Sequence, residues 1–216
     1  MFQKNDIELD KLLPAYLTAA EKGRLREALE QFRDRTPGKA YSYNNFYKGN
    51  HIAYFMQGDL ITELRFPFWD DNSSGYEKRY SDAIILSNTC DIAVENSRSV
   101  NEKKCLFAPI IDLREYVSVL NDAFPVEQVA SFISALKSQE LTNIFYLPPN
   151  PKTGREYIAF LDRVFWLEPA ELGDLLATIS DERIATLNHY GYYLFVTKLA
   201  YHMCRFPEEN DRPDFE

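Results

Sequence analysis

The chain has 216 residues, of which 45% are hydrophobic and 26% charged, with a net charge of −9. These are the proportions of a folded globular protein with a sizeable core. The acidic balance excludes a generic binder of phosphate backbones, whose affinity comes from Lys and Arg, so DNA is not expected as a partner.

Residues 8 to 36 read as a helical hairpin. Leu12, Leu13, Tyr16 and Leu17 share one face, and Leu25, Leu29 and Phe32 continue an apolar stripe. Thr18 and Glu21 have the spacing of a capping box, which breaks the segment near Thr18. Pro37-Gly38 ends it. Residues 40 to 57 interleave Tyr41, Tyr43, Phe46, Tyr47, Tyr54 and Phe55 with small polar residues. Such a loop or edge strand covers core in most proteins, with stacking on bases as the alternative.

Residues 58 to 113 read as β-rich. Strands are expected at 58 to 66, 83 to 87 and 105 to 111, with Asp71 to Gly75 as a turn. Pro109 suggests an edge or a bulge in the third strand. Pro125 to Leu136 has Val126, Val129, Ala130 and Ile133 on one side and reads as a helix. Asn143–Leu147 and Tyr157–Leu167 return to strand character, linked by the loop Pro148–Gly154. Glu168 to Ala177 reads as a short helix and Asn188 to Arg205 as a closing one. The charged tail from Pro207 is expected to fray.

No repeat and no linker divides the sequence. It reads as a single α+β domain over residues 1–216: a helical extension at 8–36, a core at 40–167 with an inserted helix at 125–138, and a closing helix at 188–205. Three cysteines (Cys90, Cys105, Cys204) without CxxC spacing argue against a disulfide framework and against zinc. No cofactor or metal is expected. The N-terminus lacks an apolar signal segment, and no run approaches the ~20 apolar residues that span a bilayer. The expected setting is therefore the reducing cytoplasm of a bacterial-style cell, away from membranes.

One stretch concentrates chemistry. The apolar run Ala83-Ile84-Ile85-Leu86 ends in Ser87-Asn88-Thr89-Cys90-Asp91, which gathers hydroxyl, amide, thiol and carboxylate at one strand end. These residues, with Arg79, form the candidate binding site. Cys90-Asp91 also admits a thiol-dependent activity. That chemistry needs a base, and none of His51, His189 and His202 lies in a recognisable signature. The bland alternative is that these side chains close their own turn.

Gly58-Asp59, Phe66-Pro67, Gly75-Tyr76-Glu77, Arg79 and the strand Ala83–Leu86 ending in Ser87-Asn88 follow in an order that resembles the PemK/MazF-like family of small β-barrels. The likeness covers residues 58 to 111. It implies a PemK-like barrel as the core. It also implies a metal-independent endoribonuclease as one activity, with Arg79 stabilising the pentavalent phosphate and Ser87 orienting it. RNA is then a possible partner. The preferred expectation is a binding module with a protein partner, in a toxin–antitoxin or phage-defence setting that the resemblance alone suggests.

Overall fold

A computed structural model of the chain describes residues 18–23, 25–26, 43, 46–49, 54–70, 72–92, 104–167 and 183–203. In chain order the named elements are β1 (Leu60–Asp70), β2 (Gly75–Ile85), α1 (Thr89–Ile92), β3 (Cys105–Asp112), α2 (Leu113–Ala123), α3 (Val126–Lys137), β4 (Ile144–Leu147), β5 (Tyr157–Phe160), β6 (Phe165–Leu167), β7 (Arg183–Ala185) and α4 (His189–Met203). A short helical stretch precedes them at 19–23 and 25–26. Among the described residues no helix is long and apolar enough to cross a membrane.

The three strands expected between residues 58 and 111 are present as β1, β2 and β3. They belong to an antiparallel sheet of order β4-β5-β3-β2-β1-β7, with β6 also paired to β3. The chain is therefore α+β. The expected barrel is not what forms among the described residues, where the sheet is open and β4 and β7 end it at opposite edges. A physical reason stands at β4. The Gln139 side chain donates to the Tyr146 carbonyl at 2.8 Å and accepts from the Tyr146 amide at 3.2 Å. One amide side chain thus supplies the bonds that a further strand would make, and a sheet edge satisfied this way has no drive to pair elsewhere.

Helices on the faces make closure unnecessary for burial as well. β4 and β5 are buried at every position. Phe145, Leu147, Tyr157 and Ala159 join a core with Leu194 and Phe195 of α4, whereas Ile144, Tyr146, Ile158 and Phe160 join Leu113 and Leu136 of the α2–α3 pair. Alternate residues feed opposite layers, so these strands carry continuous apolar sequence. A third core gathers Phe55, Ile61, Leu64, Ala83, Ile85, Ile92, Phe107 and Phe165. α4 brings Lys198 into the interior, where it donates to the Gln139 carbonyl and burial pulls its pKa down to about 7.

Several local expectations meet their structure here. Thr18 N donates to Glu21 Oε2 at 2.8 Å and Glu21 N to Thr18 Oγ1 at 3.3 Å, the two reciprocal bonds of a capping box. Of the aromatic loop, Phe46 and Phe55 are core residues, and Tyr47 donates to the Pro148 carbonyl at 2.7 Å. Pro109 is at neither an edge nor a bulge. β6 pairs with residues 105–107 of β3 and β5 with residues 110–112, so the proline falls in the gap between two partners on one side of the strand. A residue without an N–H fits there at little cost. α2 and β7 were not expected from the sequence. The rest of the predicted N-terminal hairpin, the helix at Glu168–Ala177 and the tail lie outside the described residues.

Candidate functional site

The end of β2 shows how a small polar run redirects a chain. The Leu86 and Ser87 amides both donate to the Leu106 carbonyl, and Ser87 Oγ accepts from the Leu106 amide at 2.9 Å. Asn88 Oδ1 accepts from the Cys90 amide at 2.9 Å, and the Asn88 carbonyl accepts from Asp91 at 2.9 Å. This starts α1, which Ile92 anchors in the third core. Thr89 Oγ1 accepts from the Gln57 amide at 3.1 Å. Ser, Asn and Thr make such bonds because their short side chains reach nearby amides.

Thr89 and Gln57 form one wall of an open cleft of about 470 Å³, lined by Lys48, Met56, Gln57, Thr89, Leu187, Asn188, His189 and Tyr192. Four separate stretches of chain meet there. Gln57 is the keystone: its Nε2 donates to the Leu86 carbonyl at 2.7 Å, and its Oε1 accepts from Tyr192 Oη at 3.1 Å. Residues 46–48 run beside the chain after β7, with Lys48 N donating to Thr186 O at 2.8 Å and Asn188 N to Phe46 O at 3.0 Å. Asn188 caps α4, its Oδ1 accepting from the Gly191 amide at 2.9 Å. Gly191 lets that helix start against Phe46, since a Cβ there would lie 2.6 Å from the Phe46 carbonyl oxygen. The cleft thus receives the N-terminus of a 15-residue helix, which carries partial positive charge.

None of the lining residues is acidic. Lys48 is exposed at the mouth. His189 Nδ1 lies 3.1 Å from Glu21 Oε1, which ties the N-terminal helical stretch to the rim. Met56 and Leu187 supply the apolar part of the lining.

Below this cleft, where the chain enters β1, is a buried ion pair. Asp59 Oδ2 lies 3.4 Å from Arg183 Nε on β7, with the two side chains 0% and 1% exposed. Asp59 Oδ2 also accepts from the Met56 amide at 2.9 Å. Arg183 Nη2 donates to the Tyr54 carbonyl at 2.9 Å, and the guanidinium lies 4.8 Å from the centre of the Phe55 ring. Burial raises the Asp59 pKa to about 6, against the opposing pull of Arg183, the Met56 amide, Thr186 and Lys48. The pair fixes the loop 54–57, and with it Met56 and Gln57 in the cleft wall. Gly58, at φ 86°, makes the turn between them; a Cβ there would lie 2.9 Å from Leu187 Cδ1.

Of the residues singled out from sequence, Thr89 alone lines the cleft. Ser87 and Asn88 hold the turn. Cys90 and Asp91 are exposed on α1. Arg79 is exposed and lies 4.0 Å from Glu77. It sits opposite Phe66, six positions before the end of β2, which is about 20 Å along an extended strand. Arg79 and Ser87 are therefore not brought together. Lys48, Gln57 and Tyr192 were missed, as was the Asp59–Arg183 pair, and His189, weighed only as a base for Cys90, lines the cleft instead. The Gly58-Asp59 step into an apolar strand and the Asn188 cap of the last helix were the available signals. Among the described residues no group of three or more His, Cys, Asp or Glu side chains is placed to hold a metal ion. Comparison of the sequence with protein-family models and with curated proteins finds no match.

Proposed function

We propose that this chain is a binding module, and that the cleft at the end of β2 recognises a small anionic group carried by a partly apolar ligand. The lining carries the reading: it combines Lys48, His189 and the N-terminus of α4 with Met56 and Leu187, and it contains no carboxylate. On a chain of net charge −9, a cleft whose lining residues carry no carboxylate repels an anion less than the surrounding acidic chain, with Glu21 held against His189 at the rim. Helix N-termini and a nearby ammonium are a common physical means of holding phosphate or carboxylate. The rigid base beneath, tied by Asp59 and Arg183, keeps the wall in place before the ligand arrives.

A ribonuclease centre built on Arg79 and Ser87 gains nothing from this geometry, since the two residues are far apart on β2 and the Ser87 hydroxyl is engaged with the Leu106 amide. The test uses inorganic phosphate and acetate as probes. Titrated into isotope-labelled protein, one of them is expected to shift the amide signals of Gln57, Thr89, His189 and Gly191 saturably. Lys48→Met should weaken that response without lowering the melting temperature. Shifts spread over the surface, or a Lys48→Met response equal to wild type, would reject the cleft as an anion site.

A further inference from the structure

The rim of the cleft carries an acid from a distant part of the chain. Glu21 belongs to the helical stretch at 19–23 and 25–26, and its carboxylate is held from two sides. Oε2 accepts from Thr18 N at 2.8 Å and from Thr18 Oγ1 at 2.9 Å, while Oε1 lies 3.1 Å from His189 Nδ1. In that contact Nδ1 is the donor, since a carboxylate oxygen accepts. The capping box therefore does more than start a helix. It aims a carboxylate at the first residue of α4. Leu25 stands one turn further along the same helical face and is buried. The stretch is thus seated on the body through Leu25 while Glu21 reaches the rim.

What surrounds that carboxylate gives it a role. His189 lines the cleft and opens α4, where partial positive charge collects. A carboxylate there has the chemistry of the anion that the cleft is read to recognise: an acceptor for the His189 N–H and a negative charge beside a helix N-terminus. The lining residues themselves carry no carboxylate, so this acid arrives from a separate segment rather than from the wall.

We propose that the helical stretch at 18–26 is an autoinhibitory strap, in which Glu21 stands in for the anionic group of the ligand at His189. The strap rests on the reading of the cleft as an anion site. An incoming anion that takes the His189 Nδ1 hydrogen has to replace Glu21 Oε1, and one that does not must bind against its charge. On displacement the strap keeps its internal cap at Thr18 and loses its tie to α4. With the Glu21 side chain 22% exposed and His189 56%, the competition changes affinity by a few-fold rather than by orders of magnitude. It sets a threshold of ligand concentration instead of shutting the cleft. The opposite role, in which Glu21 orients His189 for the ligand, makes the reverse prediction. The charge of the carboxylate favours the strap, because it opposes that of the ligand at close range.

The test repeats the titration of inorganic phosphate and acetate into the isotope-labelled full chain, for wild type, Glu21→Gln and Glu127→Gln. Glu127 is exposed on α3 and is no part of the cleft lining, so it controls for the loss of one negative charge. Glu21→Gln is expected to tighten the anion about two- to fivefold, read at the Gln57 and Gly191 amides, with Glu127→Gln equal to wild type. In wild type the Thr18 and Glu21 amide signals should move with the same midpoint as Gly191. Unchanged or weaker binding in Glu21→Gln would overturn the strap, as would equal tightening in Glu127→Gln. So would Thr18 and Glu21 signals that stay still while Gly191 saturates, and that wild-type comparison decides the matter should Glu21→Gln melt early. A Gly191 signal with no saturable shift rejects the cleft itself and the strap with it, whereas failure of the strap alone leaves the Gly191 titration intact.

Discussion

Asp59→Ala is the most informative single perturbation of the core beneath the cleft. It removes the carboxylate beside Arg183, whose side chain is 1% exposed. Truncating one partner of a buried ion pair costs about 3–5 kcal/mol, because the remaining charge stays in a poorly polarisable site. The Tyr54 carbonyl and the Phe55 ring remain beside the guanidinium and place the expected loss near the lower end, about 3 kcal/mol. For a chain of this length that corresponds to a fall of roughly 6–12 °C in melting temperature. Urea unfolding at pH 7, followed by circular dichroism, measures it.

Replacing both partners, as in Asp59→Leu/Arg183→Met, should restore much of the loss, since the penalty lies in the unpaired charge. Asp59→Asn separates the pH effect. The folded pKa of Asp59 is raised from 3.8 to about 6 by burial, so the folded state binds the proton more tightly than the unfolded chain. The stabilising contribution is complete below about pH 4 and is lost as pH rises through 6. Wild type should therefore lose stability relative to Asp59→Asn between pH 4 and 7. An Asp59→Ala variant within about 0.5 kcal/mol of wild type at pH 7 would refute the buried-pair reasoning. A constant gap to Asp59→Asn across that pH range would refute its ionisation.

Three further outcomes follow from the packing. Ile85→Asp places a charge at a fully buried position of β2 and should cost several kcal/mol, roughly the penalty of an unpaired interior carboxylate; unchanged unfolding would mean the strand register is wrong. Gln139→Ala strips β4 of both edge bonds at Tyr146; a loss of about 1–3 kcal/mol and faster hydrogen exchange at the Tyr146 amide are expected, whereas unaltered exchange would show that the edge is closed by other means. Gly191→Ala forces a Cβ to within 2.6 Å of the Phe46 carbonyl and should destabilise by about 1–3 kcal/mol as α4 shifts, with a neutral result in thermal melting counting against the close approach.

Much of the secondary structure is legible locally. The alternation in β1, the apolar run of β2, the presence of α3 and α4 and the Thr18–Glu21 box are set by residues within a few positions of one another, so periodicity and capping chemistry reveal them. The buried faces of the helices are not so set, since Val126 on the face expected of α3 is 70% exposed while Val129 and Leu136 are buried. α2 escaped because it follows β3 without a break, from Asp112, whose Oδ1 accepts from the Arg114 amide as the cap. Strand and helix share that boundary, and no Gly or Pro marks it. β7 escaped because three residues are too few to show a period.

What the sequence determined by itself is most of the strands and helices around an apolar core, without α2 and β7, and the polar turn at the end of β2. What only the tertiary structure decided is whether the sheet closes and which residues meet. An open or closed sheet depends on how its two edges are satisfied, and here a single glutamine at the end of α3 completes one of them. The cleft likewise depends on contacts across the chain: Gln57 with Tyr192, Lys48 beside Thr186, and Asp59 with Arg183. Each of these partners is separated by more than 100 residues in sequence, so no local pattern carries the pairing; it arises from burial, when β7 pairs with the start of β1 and the residues that lead into α4 and its first turn are brought beside residues 46–48 and Gln57, where their polar groups find partners.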